Sequence, residues 1–222
     1  MSRRAGRPDL NEPIAPTRIF LYGHYACPHT FIAQGRLDVL ASEAPVVLGW
    51  RPLAPPSGQV ERDWSGIAGP GESASDVLSS LRRDAAALGL TLGPPPSPPD
   101  PRLALQAAEF ARDCGPAEFD RFHRLLFRAV FEQGHDIAAR DLLLELGEQV
   151  GLDREGLGAA LEDARYESAL EDVEQEAARY AIDATPTLLV GRYKLVGAAP
   201  LEVLRETLAR AAEPPDGGGT GD

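Results

Sequence analysis

Residues 17–30 read TRIFLYGHYACPHT, and the fold turns on how this stretch is taken. Thr17 to Tyr22 (TRIFLY) has the β-branched, aromatic and aliphatic content of a buried strand, and Gly23 ends it. A helix is expected from about Pro28, because proline's fixed φ suits the first helical position and Phe31, Ile32, Leu37 and Leu40 recur on roughly one side. Val46 to Leu53 (VVLGWRPL) reads as a second strand. The stretch between the two strands is long enough to carry a crossover, so they are expected to run parallel.

Working outward, the pattern from Ser73 to about Ala181 is helical throughout, broken by the loop GPPPSPPDP at 93–101. Ser73 and Asp76 suit a capping-box-like start ahead of an apolar stripe of Leu78, Leu81, Ala85 and Leu88, and Gly89 is a stop. Leu103, Ala107, Phe110 and Cys114 fall on one face of the next helix, which Gly115-Pro116 terminates. Further stripes follow: Phe119, Phe122, Leu126 and Ala129; Leu142, Leu143, Leu146 and Val150; Leu157, Leu161 and Ala164; Leu170, Val173, Ala177 and Tyr180. Strand character returns in TLLV (187–190) and YKLV (193–196), joined by Gly191-Arg192 in a type II′ pattern, and Leu201, Leu204 and Leu208 mark a closing helix. The order βαβ, helices, ββα is that of an α/β protein with a thioredoxin fold and an inserted α-helical domain. We divide the chain into a disordered N-terminal segment (1–16), a thioredoxin-like domain (17–71 and 171–212), an inserted helical domain (72–170) and a disordered tail (213–222).

The 222 residues suffice for one large domain or two closely associated ones, and 43% apolar with 25% charged residues is ordinary globular composition. A formal charge of −12 gives poor electrostatic support for a nucleic-acid partner. No run approaches the roughly 18 apolar residues of a membrane span. The basic N-terminus lacks the apolar segment of a signal peptide, so a cytoplasmic location with reduced cysteines is expected. Two distant cysteines and four scattered histidines have no metal spacing, and no phosphate-binding glycine loop is present. No metal site is expected.

Cys27-Pro28-His29-Thr30, set between the first strand and the first helix, resembles the active-site motif of DsbA-type thioredoxin-fold proteins, usually C-P-H-C or C-P-W-C. It departs from that motif at the fourth position. Ala184-Thr185-Pro186-Thr187 before a strand resembles the cis-proline loop that faces the motif in this family. WRPL (50–53), LFRAVFEQGHDIAARDLLLELGEQVGLD (126–153) and RYKLVGAAPLEVLRETL (192–208) resemble the cytoplasmic FrnE-like branch, and the likeness covers most of residues 17–210. The resemblance implies a thiol-disulfide oxidoreductase with Cys27 as nucleophile, His29 and Thr30 as its catalytic neighbours, and Pro28, Thr185 and Pro186 as substrate-binding residues, with Pro186 cis. Thr30 stands where dithiol members carry the resolving cysteine, so a mixed disulfide on Cys27 must be resolved by an outside thiol. No tightly bound cofactor is implied. Glutathione or another low-molecular-weight thiol is the expected co-substrate, the partner being a small thiol or a disulfide-containing protein or peptide, and a homodimer is left open.

A cysteine just before a helix lies near unpaired N–H groups and the positive end of the helix dipole, which lower a thiol pKa from about 8.5 toward roughly 3.5–7.5. Cys27 is therefore expected to be at least partly ionised at neutral pH, further helped by His29 and by a hydroxyl donor at Thr30. Against this stands Cys27 as an inert buried residue and Thr30 as a cap or space-filler. His24 either faces the site or is a solvated loop histidine. Cys114 is expected in the core, His123 and His135 on the surface, and Glu171, Asp172, Glu174 and Glu176 on a solvated helix face rather than a docking face. Two other functions share the architecture: a glutathione-dependent transferase or isomerase of kappa-like type, and a redox-inactive thioredoxin-fold binding module.

Overall fold

The computed structural model describes residues 16–55, 73–93 and 99–213. The expected N-terminal segment and tail lie outside the described residues except for Pro16 and Glu213, as does the middle of the proline loop. The elements are β1 (Thr17–Gly23), α1 (Pro28–Glu43), β2 (Val46–Pro52), α2 (Ala74–Ala87), α3 (Arg102–Cys114), α4 (Pro116–Phe131), α5 (Arg140–Gln149), α6 (Arg154–Glu162), α7 (Glu167–Arg179), β3 (Thr187–Val190), β4 (Tyr193–Val196) and α8 (Leu201–Ala212).

The strands form one sheet in the order β2-β1-β3-β4, with β1 parallel to β2 and antiparallel to β3. Alternation along β1 divides its side chains between two cores. Ile19 and Leu21 point into the main core with Leu188, Val190 and Trp50. Phe20 and Tyr22 point the other way, against Ala177, Ile182 and Val173 around α7. The β3–β4 turn has Gly191 at φ 56° while Arg192 stays out of the left-handed region, as a type II′ turn requires. Ser73 caps α2 by accepting the Asp76 N–H.

Among the described residues, six helices, α2 to α7, lie between β2 and β3. The small residues Ala104, Ala107, Ala108 and Ala111 let α3 run buried against its neighbours, among which α4, α5, α6 and α7 all touch it. The same main core contains Leu105, Phe122, Leu126, Leu143 and Leu157 of these helices. This is the α/β thioredoxin fold with an inserted helical domain.

Candidate active site

The end of β1 and the start of β3 are neighbours, with Tyr22 opposite Thr187, so the loops leaving them face one another. Cys27 is the N-cap of α1 with φ −98° and ψ 113°, and Pro28 occupies the first turn. Its N–H donates to the His24 carbonyl (3.3 Å) and its own carbonyl accepts from Phe31 N–H (3.1 Å). The thiol donates to the Thr185 carbonyl at 3.5 Å, and the Thr185–Pro186 peptide bond is cis. The opposing loop is held by Thr187 Oγ1 donating to the Ala184 carbonyl (2.7 Å) and by Gly197 N–H donating to the Pro186 carbonyl (2.7 Å). A Cβ on Gly23 would lie 2.5 Å from Thr30 Cγ2, so the glycine that ends β1 also admits the first turn of α1.

The expected ionisation of Cys27 is overturned. The residue is only 9% exposed, and burial pushes its thiol up rather than down. Desolvation of the thiolate outweighs the groups that favour it, which in order are the Thr30 side chain, the Thr30 backbone, Thr185 and the His29 backbone. The helix start acts in the expected direction, but the sulfur gives up too much water for it to prevail. Thr30 is fully buried, and its Oγ1 has no partner at hydrogen-bonding geometry among the described residues. His29 is half-buried, and a hydrogen bond from its backbone favours the Cys27 thiolate.

Two residues that shape the site carried no signal in the sequence. Tyr25, fully buried two positions before Cys27, stacks on Trp50 (centroids 5.3 Å apart) and meets Phe127 edge-on (4.9 Å). Its hydroxyl hydrogen-bonds His123 Nδ1 at 2.8 Å, and His123 Nε2 lies 3.2 Å from Gln34 Oε1. Neutral imidazole with its proton on Nε2 satisfies both contacts, accepting from Tyr25 and donating to Gln34. His123 is therefore not a surface residue: it is 4% exposed, and desolvation, with smaller effects from Arg124 and Arg112, brings its pKa down to about 3. WRPL takes on a physical meaning here. Trp50 backs Tyr25, Arg51 pairs with Glu176 (3.1 Å), and Leu53 N–H donates to the Gly23 carbonyl (2.9 Å).

On the Thr185 loop, whose carbonyl meets the Cys27 thiol, a cavity of about 390 Å³ is lined by His24, Thr185, Asp183, Arg102 and Glu174 together with apolar groups. His24 thus faces the site. Its Nδ1 is buried without a partner among the described residues, and desolvation holds its pKa at about 4. The α7 acidic run is not a uniformly solvated face, since Glu174 pairs with Arg102 (3.0 Å) and Glu176 accepts from Tyr22 and Arg51. Cys114 is exposed rather than core, because the buried stripe of α3 passes through Ala104, Ala108 and Ala111 and leaves the last residue of the helix outside it. Both thiols are free. Among the described residues no group of three His, Cys, Asp or Glu could hold a metal ion, and no helix is long and apolar enough to cross a membrane.

Comparison with known proteins agrees with this fold. The model of the DSBA-like thioredoxin domain matches residues 18–209. The uncharacterized protein YwbO of Bacillus subtilis (strain 168) is 27% identical over 201 residues, covering 86% of this chain and 95% of that protein. Among solved structures, a probable DsbA oxidoreductase from Streptomyces coelicolor superposes with a TM-score of 0.74 at 23% identity, covering 88% of this chain and 89% of the other. A 2-hydroxychromene-2-carboxylate isomerase does so with a TM-score of 0.71 at 20% identity, covering 87% and 95%.

Proposed function

The chain belongs to the DSBA-like thioredoxin domain family, and from that premise we propose that it catalyses thiol-disulfide exchange through the single sulfur of Cys27. The observation that carries this reading is the position of that sulfur, at the start of α1 and 3.5 Å from the Thr185 carbonyl in the turn before Pro186. An incoming disulfide R–S–S–R′ placed along this turn is attacked by the Cys27 thiolate. A Cys27–S–S–R bond forms, the R–S–S–R′ bond breaks, and the proton shed by Cys27 ends on the departing R′ sulfur. Thr30 has no sulfur with which to expel R, so a second, external thiol such as glutathione completes the cycle. Pro28 starts the helix that presents the sulfur, Thr185 and Pro186 form the wall a substrate lies against, and the groove between that wall and the inserted helices sets substrate choice.

The raised thiol pKa makes this a slow nucleophile at neutral pH, because the thiolate fraction is small although each thiolate is more nucleophilic. That same burial favours the second reading, a redox-inactive binding module. Exposed Cys114 will also react, so the deciding experiment uses a Cys114→Ala protein incubated with oxidised glutathione and weighed intact at pH 7 and pH 9. One glutathione adduct, faster at pH 9 and absent in Cys27→Ala/Cys114→Ala, is expected. No adduct at either pH would select the binding module.

A further inference from the structure

The cavity on the Thr185 loop, whose carbonyl meets the Cys27 thiol, is lined by the apolar Leu53, Ala54, Pro55, Ile182 and Ala184 and by the charged Arg102, Glu174 and Asp183. About 390 Å³ lies near the lower end of the range for small-molecule sites, which suits a small disulfide better than a folded substrate. Among the described residues that line it, Arg102 of α3 is the single cation, and it is already taken up. It donates to Glu167 and, at 3.0 Å, to Glu174, both of which hold its proton more firmly. Glu171 stands on the same face of α7, between these two by helical spacing. Asp183, in the loop before Thr185, is exposed, lines the cavity, and has no hydrogen-bond or ion-pair partner among the described residues. His24, the remaining titratable group among the described lining residues, is held neutral by its burial. Among the described residues that line the cavity, one guanidinium, already paired with Glu167 and Glu174, thus stands with the carboxylates of Glu174 and Asp183, in a chain whose formal charge is −12.

We propose that the disulfide admitted to Cys27 is an aminothiol-type disulfide, carrying an ammonium group next to its sulfur that Asp183 and Glu174 attract into this cavity. The inference rests on Cys27 being the reacting group. The step is the exchange already described: the Cys27–S–S–R bond forms, the aminothiol departs as R–S–H with the proton that Cys27 gave up, and no further reactant enters.

The test uses Cys114→Ala protein at pH 7 and low salt with cystamine (dication), bis(2-hydroxyethyl) disulfide (neutral) and 3,3′-dithiodipropionate (dianion). Mixed-disulfide formation is followed by intact mass. Each rate is divided by that of the same disulfide with free 2-mercaptoethanol, which removes differences in leaving-group chemistry. The normalised cystamine-to-dithiodipropionate ratio is expected to be roughly tenfold or more and to shrink in high salt. Asp183→Asn combined with Glu174→Gln should bring the ratio close to one, whereas Glu206→Gln, which removes a charge on α8, should leave it at the parent value. Far-UV circular dichroism must show the parent fold in each variant, because an unfolded fraction would expose Cys27 and draw the ratio toward one by itself. A parent ratio near one, or a high ratio that survives the double substitution, overturns the proposal while exchange at Cys27 stands. Failure of all three disulfides, the neutral one included, overturns exchange itself.

Discussion

A thiol at a helix N-cap is pulled in two directions, and at Cys27 the loss of water wins over the dipole. Thr30 is the strongest single influence on the other side. Its hydroxyl is enclosed and, among the described residues, otherwise unpartnered, an arrangement that costs the resting fold stability while leaving a donor ready for a charge that forms during reaction. Thr30→Val should therefore separate reactivity from stability. In a Cys114→Ala background, iodoacetamide labelling of Cys27 at pH 8 should slow roughly tenfold, the worth of one hydrogen bond to a charged group. The denaturation midpoint should hold or rise, since a buried hydroxyl without a partner is removed. Unchanged labelling would reduce Thr30 to a space-filler. The sign with pH follows from the raised thiol pKa. The folded protein keeps its proton where the unfolded chain has lost it, so this contribution to stability is complete below about pH 8.5 and is lost as pH climbs through the folded value.

At the scale of elements, the β1–α1 loop is fixed from the far side by α4, through the Tyr25 hydroxyl on His123 Nδ1. Tyr25→Phe leaves that nitrogen buried and without a donor, and urea denaturation should show a loss of about 1–3 kcal/mol. His123 itself titrates in the opposite sense to the thiol. Its folded pKa of about 3 lies below the unfolded value of 6.5, so its contribution is complete above pH 6.5 and is lost as pH falls toward 3. Between pH 6.5 and 4 the midpoint should drop by an amount worth up to about 3 kcal/mol from this residue, at roughly 1.4 kcal/mol per unit. His123→Gln should flatten that slope. The strands were legible in the sequence because TRIFLY and TLLV concentrate β-branched and aliphatic residues where both faces of the sheet are covered. Cys27 and Pro186 were legible through a resemblance in their flanking residues. Tyr25 with His123 was not, because the partners stand 98 positions apart and neither type implies the other. The direction of the Cys27 shift was hidden for a related reason: the helix start is local and readable, whereas the burial that overrides it comes from the loop around Thr185 and the packing behind it. Cys114 shows the limit of periodicity, which gives a stripe but not where the neighbouring helices stop covering it.

For the molecule as a whole, size and packing make opposite demands on cooperativity. A chain of 222 residues is long enough for its parts to unfold separately, and the helical insertion supplies a natural dividing line. The packing crosses that line. One core runs from Ile19, Leu21 and Leu188 of the sheet to Leu126, Leu143 and Leu157 of the inserted helices, and Phe31 of α1 lies against Phe127 and Phe131 of α4 at centroid distances of 5.8 and 5.0 Å. Opening the insertion alone would strip the back of α1 and the support of Tyr25, and with it the enclosure of Cys27. We therefore expect one transition. In urea, the far-UV circular dichroism signal, dominated by the helices, and the onset of Cys27 alkylation in Cys114→Ala protein should share a midpoint. Leu126→Ala, at a fully buried position within the insertion, should cost about 2–5 kcal/mol and move both midpoints down together. Loss of helical signal at a urea concentration where Cys27 is still protected would show two independent units and remove the inserted helices from any part in holding the reactive sulfur.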